Sequence, residues 1–394
     1  MLDFDFYSPT QFVFGRGREN ECGECVRRHG GSKVLLHFGS SSARKSGLLD
    51  RVEASLAKAG ISFVELGGVQ PNPHDTLVYQ GIELCRKEKV DFILAVGGGS
   101  VIDSAKAIAI GVPYDGDFWD FYSTDKTIEA AVPIGVILTI AAAGSEGSGD
   151  SVITKQEGKL KRATSSDLIR PIFSILNPAL TCTLPAWQTA CGLTDIMAHT
   201  FERYFTNTPE VEVTDRLCEA ILLTIRKEGP RVIADPDNYD ARANIMWAGM
   251  VCHNNIIGVG REQEWNSHNI EHELSALYDC SHGAGLAVVM PAWMEYVMPH
   301  NVPRFAQVAT RVWGCEMDFA HPEKTAFEGI QCFRRFLAGL GMPLNFEQLG
   351  AKEEDIPLLV KTLGLGDGLT GGMVQLNSED IAAIYRIAAH TPAM

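Results

Sequence analysis

The chain has 394 residues, of which 45% are hydrophobic, and it carries a formal net charge of −15 at pH 7. This length allows two domains with large cores, and the negative charge excludes nucleic acid and anionic membranes as favoured partners. The sequence does not open with a basic segment followed by an apolar run, as a signal peptide would. No stretch of eighteen apolar residues occurs in it, so we expect a soluble, cytoplasmic protein.

The ten cysteines are scattered along the chain, as is typical of small buried hydrophobic residues in a reducing compartment. Cys22 and Cys25 form the one Cys-x-x-Cys pair, a spacing that suits a redox motif or half of a zinc site. No second pair completes a zinc site, and no strand directly precedes this pair. We therefore predict a structural role for both residues.

The first part of the chain alternates predicted strands and helices. Strands are predicted at residues 7–17, 33–38, 61–66, 91–96, 133–140, 151–154, 159–163 and 172–176, and helices at 43–59 and 76–89. Strands that alternate with helices indicate a parallel sheet. The first strand, which contains Phe12 and Phe14, is expected at an edge of that sheet.

A glycine-rich loop follows the predicted strand at 91–96. Its residues Gly97, Gly98 and Gly99 let the backbone approach a pyrophosphate, and the N–H groups of the following helix would attract it. Ser100 and Asp103 have capping-box spacing at that helix start. The loop is neither the Gly-x-Gly-x-x-Gly fingerprint nor a Walker motif, so a plain loop is the alternative. The run at 141–149 is a second candidate ligand loop, with a mobile linker as its alternative.

The loop after the predicted strand at 33–38 favours NADP(H) over NAD(H). NAD-specific enzymes commonly place a carboxylate there, which binds the ribose hydroxyls and repels a 2′-phosphate. Here the strand ends at Gly39, and no acidic residue occurs before Asp50. The loop instead offers hydroxyl, N–H and cationic groups, from Ser40, Ser41, Ser42, Arg44 and Lys45. A solvated basic helix start is the alternative.

The pattern changes near residues 178–184. From Leu184-Pro185, a signal for a helix start, most of the remaining chain is amphipathic or apolar with helical spacing. We therefore predict an α/β dinucleotide-binding domain over residues 1–180 and an all-helical metal-binding domain over residues 181–394.

Two residue pairs in the helical part have the spacing of metal ligands. Asp195 and His199 are four residues apart, as are His268 and His272, so each pair shares one face of a predicted helix. His282 lies fourteen residues beyond His268, which is about 21 Å along an unbroken helix. The chain must therefore turn near residues 279–281 if both rings are to bind one ion, and we expect the next glycines, Gly283 and Gly285, to permit that turn.

Each pair alone is more often structural, and only the combination argues for a metal. Asp195, His199, His268 and His282 form a set of one carboxylate and three imidazoles, which suits Fe(II) or Zn(II) better than calcium or magnesium.

These motifs together resemble the iron-containing (group III) alcohol dehydrogenases, in the branch of NADPH-dependent butanol dehydrogenases and aldehyde reductases. The resemblance covers nearly the whole chain, through Tyr7-Ser8-Pro9-Thr10 to Phe14-Gly15, Pro71-Asn72-Pro73, Gly97-Gly98-Gly99-Ser100-x-x-Asp103, Gly144-Ser145-Glu146, Asp195-x-x-x-His199, and His268-x-x-x-His272 followed by His282-Gly283. It implies a Rossmann-like α/β domain and an all-α domain in the dehydroquinate synthase-like architecture. It also implies one divalent metal in the cleft between them, and a homodimer built on the amino-terminal strand.

The resemblance assigns roles to individual residues. It implies the same four metal ligands and a place for His272 beside the nicotinamide. The candidate cofactor contacts are Gly39, Ser40, Ser41, Ser42, Arg44, Lys45, Asn72, Gly97, Gly98, Gly99, Ser100, Asp103, Thr139, Ser145 and Lys161. Ala143 and Asn177 depart from the family, which often has threonine and aspartate there, so one hydroxyl contact to the cofactor is expected to be missing.

We therefore predict a reversible alcohol dehydrogenase that acts on small primary alcohols and works mainly as an aldehyde reductase. Hydride would pass between NADP(H) and the substrate carbon, assisted by the metal. One alternative is a metalloprotease of the His-x-x-Glu-His type, in which Glu271 would be the general base. A second alternative is a catalytically silent nucleotide-binding protein, which would bind the cofactor and no metal.

Overall fold

A computed structural model describes residues 1–393 of the chain as two compact units. The α/β unit comprises Tyr7–Leu184 and Gly249–Asn254, and the helical unit comprises Met1–Phe6, Pro185–Ala248 and the described residues from Asn255 onward. Among the described residues, no helix is long and apolar enough to cross a membrane.

The α/β unit is built on a six-stranded parallel sheet with the strand order β1-β8-β5-β4-β2-β3. Its strands are β1 (Gln11–Phe14), β2 (Lys33–Gly39), β3 (Ser62–Val69), β4 (Phe92–Gly97), β5 (Ile134–Leu138) and β8 (Phe173–Leu176). Every residue of β4 and β5 is buried, as expected for central parallel strands covered on both faces. The predictions of a parallel sheet and of an edge position for the first strand are confirmed.

The remaining two predicted strands form a separate hairpin. β6 (Asp150–Lys155) and β7 (Leu160–Ser165) pair antiparallel in a two-stranded sheet of their own. The hairpin is linked to the main unit by a bridge between His74 and Thr154.

Helices connect the parallel strands. They are α1 (Cys22–Arg28), α2 (Ser42–Lys45), α3 (Leu48–Lys58), α4 (Asp75–Glu88), α5 (Gly99–Gly111) and α6 (Asp120–Ser123). The single helix predicted at 43–59 is two helices, because Gly47 between them has a left-handed φ of 69°. Such a conformation strains any residue with a side chain and interrupts the helix.

The strand order reverses between β2 and β4. β3 lies outward of β2 on one side, and β5 lies outward of β4 on the other. In open α/β sheets, ligands bind at the carboxyl ends of the strands at such a reversal. The loops after β2 and β4, which contain Gly39–Ser42 and Gly97–Gly99, are therefore brought together at the expected position for a dinucleotide.

Asn177, one of the two departures from the family pattern, has a structural role at the end of β8. Its side-chain oxygen accepts from Ala179 N at 3.0 Å, and its amide nitrogen donates to Glu19 Oε2 at 2.8 Å. An aspartate could keep the first bond, but it would set two carboxylates against each other in the second. The amide therefore matches the buried Glu19 of this chain.

The helical unit contains ten α-helices among the described residues. They are α7 (Ala186–Tyr204), α8 (Glu212–Ala234), α9 (Tyr239–His253, whose last five residues belong to the α/β unit), α10 (Asn266–Tyr278), α11 (His282–Val297), α12 (Val302–Val308), α13 (Pro322–Gly339), α14 (Phe346–Leu349), α15 (Ile356–Leu363) and α16 (Ser378–His390). A buried aromatic cluster anchors α7, where Phe201 packs edge-on against Phe333 at 5.0 Å and stacks with Phe205 at 5.7 Å. This packing fixes the rotation of α7 and the direction of its polar face.

Candidate active site

Asp195 and His199 lie one turn apart on α7 and are both buried. His199 Nδ1 lies 3.0 Å from the backbone carbonyl oxygen of Asp195 and also 3.0 Å from Asp195 Oδ1. Because that nitrogen is hydrogen-bonded to the carbonyl, a metal bond from His199 would come from Nε2. The one-face geometry predicted from the spacing is confirmed.

A turn between α10 and α11 brings His282 back toward His268. α10 ends at Tyr278, the next residue, Asp279, adopts a left-handed φ of 51°, and α11 begins at His282 itself. The predicted arrangement of helix, turn and histidine is confirmed.

Gly283 and Gly285 serve a purpose different from the one expected. Neither has a positive φ among the described glycines, and the turn is made at Asp279. A Cβ at Gly283 would lie 2.2 Å from the Cys191 carbonyl oxygen on α7, and one at Gly285 would lie 2.4 Å from Glu271 Oε1 on α10. The two glycines therefore allow α11 to pack closely against both ligand-bearing helices.

Three of the four candidate ligands converge directly. Asp195, His268 and His282 each offer a ligand atom, and these atoms lie within 4.8 Å of one another. The Nε2 atoms of His268 and His282 lie 3.7 Å and 3.8 Å from Asp195 Oδ1. His199 is not in that group of three, but its ring centroid lies 4.3 Å from that of His268.

The donor set fits a divalent metal ion. Asp195 Oδ1 and His268 Nε2 are buried, and neither makes a hydrogen bond among the described residues. Buried polar atoms without partners are costly, and a cation between them would satisfy both. One carboxylate and several imidazoles are also the donors that Fe(II) and Zn(II) accept.

The local electrostatics favour positive charge at this point. Burial alone would raise the pKa of the Asp195 carboxyl, but the facing rings of His199, His268 and His282 hold it well below its usual range. Burial lowers the pKa of His268, yet the carboxylates of Glu202 and Asp195 outweigh burial and raise it to about 9. Burial, together with the neighbouring His268, lowers the pKa of His199.

Two buried glutamates were not predicted as part of the site. Glu202 on α7 contacts Nδ1 of His268, and Glu271 on α10 contacts Nδ1 of His282. Both glutamates have no exposed side-chain surface. Carboxylates that bind the outer nitrogen of a histidine fix its tautomer and direct Nε2 toward a metal. The sequence spacing could have pointed to both glutamates, because Glu202 lies three residues after His199 and Glu271 lies three residues after His268.

His272 lies beside the converging donors. Its ring centroid is 5.6 Å from that of His282 and 6.4 Å from that of His268. His272, His282 and Glu271 form a second group whose ligand atoms lie within 4.8 Å of one another. Glu271 already contacts Nδ1 of His282. The group of Asp195, His268 and His282 is therefore the better candidate for the metal.

In the α/β unit, the triple-glycine loop joins β4 to α5, as predicted. Gly98 precedes the first residue of α5, and Ser100 lies in the first turn. A Cβ at Gly97 would lie 2.4 Å from a methyl of Val101, which explains the requirement for glycine at that position. Thr139, after the neighbouring β5, donates its N–H to Gly97 O at 3.0 Å.

The predicted capping box at Ser100 and Asp103 is wrong. The residue that precedes α5 is Gly98, and no side chain caps the helix. Asp103 instead accepts from Ser145 Oγ at 2.6 Å and from Val152 N at 3.2 Å. Tertiary partners outside the local sequence therefore determine where this carboxylate binds.

Lys106 also holds the Ser145 loop, although it was not among the residues selected from the sequence. Its fully buried Nζ donates to Ser145 O, Ser148 O and Asp150 O at 2.8, 3.0 and 2.7 Å, and to Ser145 Oγ at 2.9 Å. Burial lowers the pKa of Lys106 to about 8 against the effect of the Asp103 carboxylate. The candidate ligand loop is thus held by α5 rather than being a mobile linker.

Two further cofactor candidates meet near the hairpin. Lys161 Nζ, on β7, donates to Asn72 Oδ1 at 3.1 Å, and both side chains are buried. Asn72 has a positive φ of 52° between two prolines, which sets the direction of its amide.

The loop after β2 differs in one respect from the expectation. Arg44 contacts Glu53 and donates to Glu65 Oε2 at 2.6 Å, and it lies 3.4 Å from Asp50 Oδ1. The hydrogen bond to Glu53 is the main reason that the pKa of Arg44 is raised. These acids reduce the positive charge that Arg44 offers to a phosphate, and Lys45 and the three serines are left as the stronger candidates.

Comparison with known families identifies the chain. The model of the iron-containing alcohol dehydrogenases matches residues 9–178, and the model of the carboxy-terminal region of the Fe-containing alcohol dehydrogenase family matches residues 189–389. The chain belongs to the iron-containing alcohol dehydrogenase family.

Individual relatives of this iron-containing alcohol dehydrogenase match almost end to end. NADH-dependent butanol dehydrogenase A of Clostridium acetobutylicum is 41% identical over 98% of this chain and 99% of the relative. The NADPH-dependent aldehyde reductase YqhD of Escherichia coli is 36% identical over 92% of this chain and 93% of its own. The crystal structure of NADH-dependent butanol dehydrogenase A from Thermotoga maritima, 41% identical, covers 99% of both chains with a TM-score of 0.96.

These matches establish the α/β and all-helical architecture and the butanol dehydrogenase and aldehyde reductase branch. The metalloprotease alternative has no support. Its general base would be Glu271, which is fully buried, contacts His282 Nδ1 and accepts a hydrogen bond from Ser275 Oγ.

Proposed function

We propose that this alcohol dehydrogenase transfers hydride between NADP(H) and small primary alcohols or aldehydes, mainly in the direction of aldehyde reduction. The observation that carries the proposal is the convergence of Asp195, His268 and His282 around buried atoms that lack hydrogen bonds. We also propose a cytoplasmic location, which the ten free cysteines of the chain support.

We assign metal binding to Asp195, His199, His268 and His282, with Fe(II) or Zn(II) as the ion. A bound ion supplies Lewis-acid polarisation of the substrate oxygen, and the nicotinamide supplies or accepts the hydride. Glu202 and Glu271 hold the histidine rings so that their Nε2 atoms face Asp195. His282 is the most accessible of the four, with 24% of its side chain exposed against 7% or less for the others, so substrate approaches from its side.

His272 is assigned to proton exchange beside the nicotinamide. It lies next to His282 but is not needed to complete four ligands. A neutral imidazole can take up or release a proton near neutral pH.

The cofactor is assigned to the carboxyl edge of the parallel sheet. The loops after β2, β4 and β5 and the Ser145 loop lie there or are held there by α5. Preference for NADP(H) is supported by Gly39 and by the serines and Lys45 that follow it. Relatives named for NADH and relatives named for NADPH both occur among the matches, so measurement of both cofactors decides the preference.

A homodimer built on the β1 edge is part of the proposal. β1 is the outermost strand on its side of the sheet, and edge strands favour pairing with a strand of a second chain. Light scattering at micromolar concentration should give the mass of a dimer, and a monomer would contradict this assignment.

The deciding experiment combines metal analysis with aldehyde turnover. The purified chain should contain one metal ion per protomer and should oxidise NADPH when an aldehyde is added. His268→Ala and His282→Ala should each lose metal and turnover together, while His300→Ala, an exposed histidine in the same unit, should lose neither. Full metal content with undiminished turnover in either ligand variant would overturn the assignment, and a chain that binds NADPH without metal or turnover would be a silent nucleotide-binding protein.

A further inference from the structure

Two cysteines outside the candidate active site face each other in the helical unit. Cys315 follows the short π-helix Ala309–Trp313, and Cys332 lies on α13. Their Sγ atoms are 3.8 Å apart, and both residues are partly exposed. This is a van der Waals contact between two free thiols that solvent can reach.

The Cys-x-x-Cys pair that stood out in the sequence is different. Cys22 and Cys25 are buried, at 0% and 3% exposure, and Cys22 Sγ donates to the Val52 carbonyl oxygen at 3.8 Å. Burial raises the pKa of Cys22 to about 11. Buried thiols of high pKa are inert, so the predicted structural role of this pair agrees with its surroundings.

Two charged groups contact the sulfur of Cys332. Arg335 Nη2 donates to Cys332 Sγ at 3.1 Å, and Cys332 Sγ lies 3.8 Å from Glu328 Oε1, to which it can donate its proton. Both groups lie on the same face of α13, and they also pair with each other. A cation beside the sulfur stabilises the thiolate, which is the reactive form. Burial and the adjacent Cys332 raise the pKa of Cys315 to about 11, so Cys315 is a protonated thiol at neutral pH.

We propose that Cys315 and Cys332 are a site of reversible oxidation that forms an intramolecular disulfide with hydrogen peroxide as the oxidant. The Cys332 thiolate attacks one peroxide oxygen, the O–O bond breaks, and the departing oxygen leaves as water with the thiol proton. Cys332 is then a sulfenic acid. The Cys315 sulfur attacks it, an S–S bond replaces the S–O bond, and the second oxygen leaves as water with the Cys315 proton. The two thiols lose two electrons, and the peroxide gains them.

The site does not depend on the proposed catalytic function, and it can be tested on the metal-loaded full chain. The protein is treated with hydrogen peroxide, its remaining thiols are alkylated, and its peptides are mapped by mass spectrometry. We expect a linked pair of peptides containing Cys315 and Cys332 with the loss of two hydrogens, reversed by dithiothreitol. Oxidation of other cysteines without this link, or a Cys22–Cys25 link that forms first, would overturn the proposal.

Variants separate the roles of the two sulfurs and of the cation. In Cys315→Ser, Cys332 should accumulate as a sulfenic acid that dimedone traps, whereas trapping at other cysteines alone would contradict its role as the first sulfur. Arg335→Gln should slow the formation of the disulfide severalfold. Arg216→Gln is the matched control, because Arg216 is similarly exposed and pairs with glutamates on α8. Equal rates in the two arginine variants would contradict the assignment of Arg335.

Discussion

Glu202 binds His268 through two atoms, since its Oε1 accepts the backbone N–H of His268 at 3.1 Å and its Oε2 contacts the ring Nδ1. The ring is thereby turned so that Nε2 lies 3.7 Å from Asp195 Oδ1. Glu271 makes the corresponding contact to His282, whose Nε2 lies 3.8 Å from the same oxygen. Each carboxylate thus directs one imidazole toward a shared point.

We expect Glu202→Gln and Glu271→Gln to weaken metal binding roughly 10–100-fold, the usual effect of losing a partner of a metal-bound histidine. The amide keeps the size of the side chain but removes the charge that raises the basicity of the ring. Metal affinity can be measured by competition with a chelator. Glu228→Gln, at a buried glutamate on α8, is the control. Affinity equal to that of the unmodified protein in both site variants would show that the contacts do not position the ligands.

Much of the site follows from helical spacing, and what was missed depends on packing between helices. These four residues could be selected because their types suit metals. The spacing of Asp195 and His199 puts them on one helix face, and the spacing of His268 and His282 requires a turn between them. Glu202 and Glu271 share those helices, but a glutamate in an amphipathic helix is usually a solvated residue. Only the packing of α7, α10 and α11, with Gly283 and Gly285 at the contacts, shows that both are buried.

The errors in the α/β unit have the same origin. The capping box predicted at Ser100 and Asp103 used local spacing alone, while Ser145 and Val152 bind Asp103 from more than forty residues away in sequence. Lys106 was not selected because a lysine on a helix is normally exposed, whereas here residues 145–150 supply its acceptors. The parallel sheet and its buried strands were predictable, since apolar strands that alternate with helices permit few other arrangements.

His272→Ala should retain the metal and slow turnover roughly 10²–10⁴-fold, the usual range for loss of a general acid or base. Its ring lies near the candidate ligands without being required to complete the set. Metal content and kcat should be measured on the same preparation, with His300→Ala as the control. Loss of metal would make His272 a ligand, and an unchanged kcat would make it structural.

His37 predicts an acid-dependent loss of stability in the α/β unit. Burial lowers its pKa from 6.5 to about 4, and the neutral ring bridges Leu66 O at 2.8 Å and Ser104 Oγ at 2.9 Å. Between these two pKa values the unfolded chain binds a proton that the folded chain does not. The contribution of His37 to the free energy of unfolding is therefore fully present above pH 6.5. It is lost as the pH falls toward 4, by about 3 kcal/mol in total.

Denaturant unfolding across this pH window measures the effect. His37→Gln should be less stable at neutral pH but should show a shallower loss of unfolding free energy on acidification than the unmodified chain at the same metal content. His300→Gln, which changes an exposed histidine, should keep the original slope. Identical slopes for the unmodified chain and His37→Gln would contradict the prediction.

The last prediction concerns the choice between NADP(H) and NAD(H) at the end of β2. A charge-assisted hydrogen bond contributes roughly 1.5–3 kcal/mol, so one such bond to the 2′-phosphate favours NADPH by about tenfold or more. Lys45 is the cation to test first, because Glu53 and Glu65 already bind Arg44. Lys45→Gln should therefore lower kcat/KM for NADPH more than Arg44→Gln does, with little effect on NADH.

Gly39→Asp should reverse the preference, because its carboxylate repels the phosphate and accepts from the ribose hydroxyls. The position has room for a side chain, since a Cβ there would lie 3.6 Å from Val69 O and 3.8 Å from a methyl of Val101. Gly39→Asn, which has the same size without the charge, is the matched control and should change the ratio less. Equal or higher kcat/KM with NADH in the unmodified protein would defeat the assignment, and relatives named for NADH make that measurement the first one to perform.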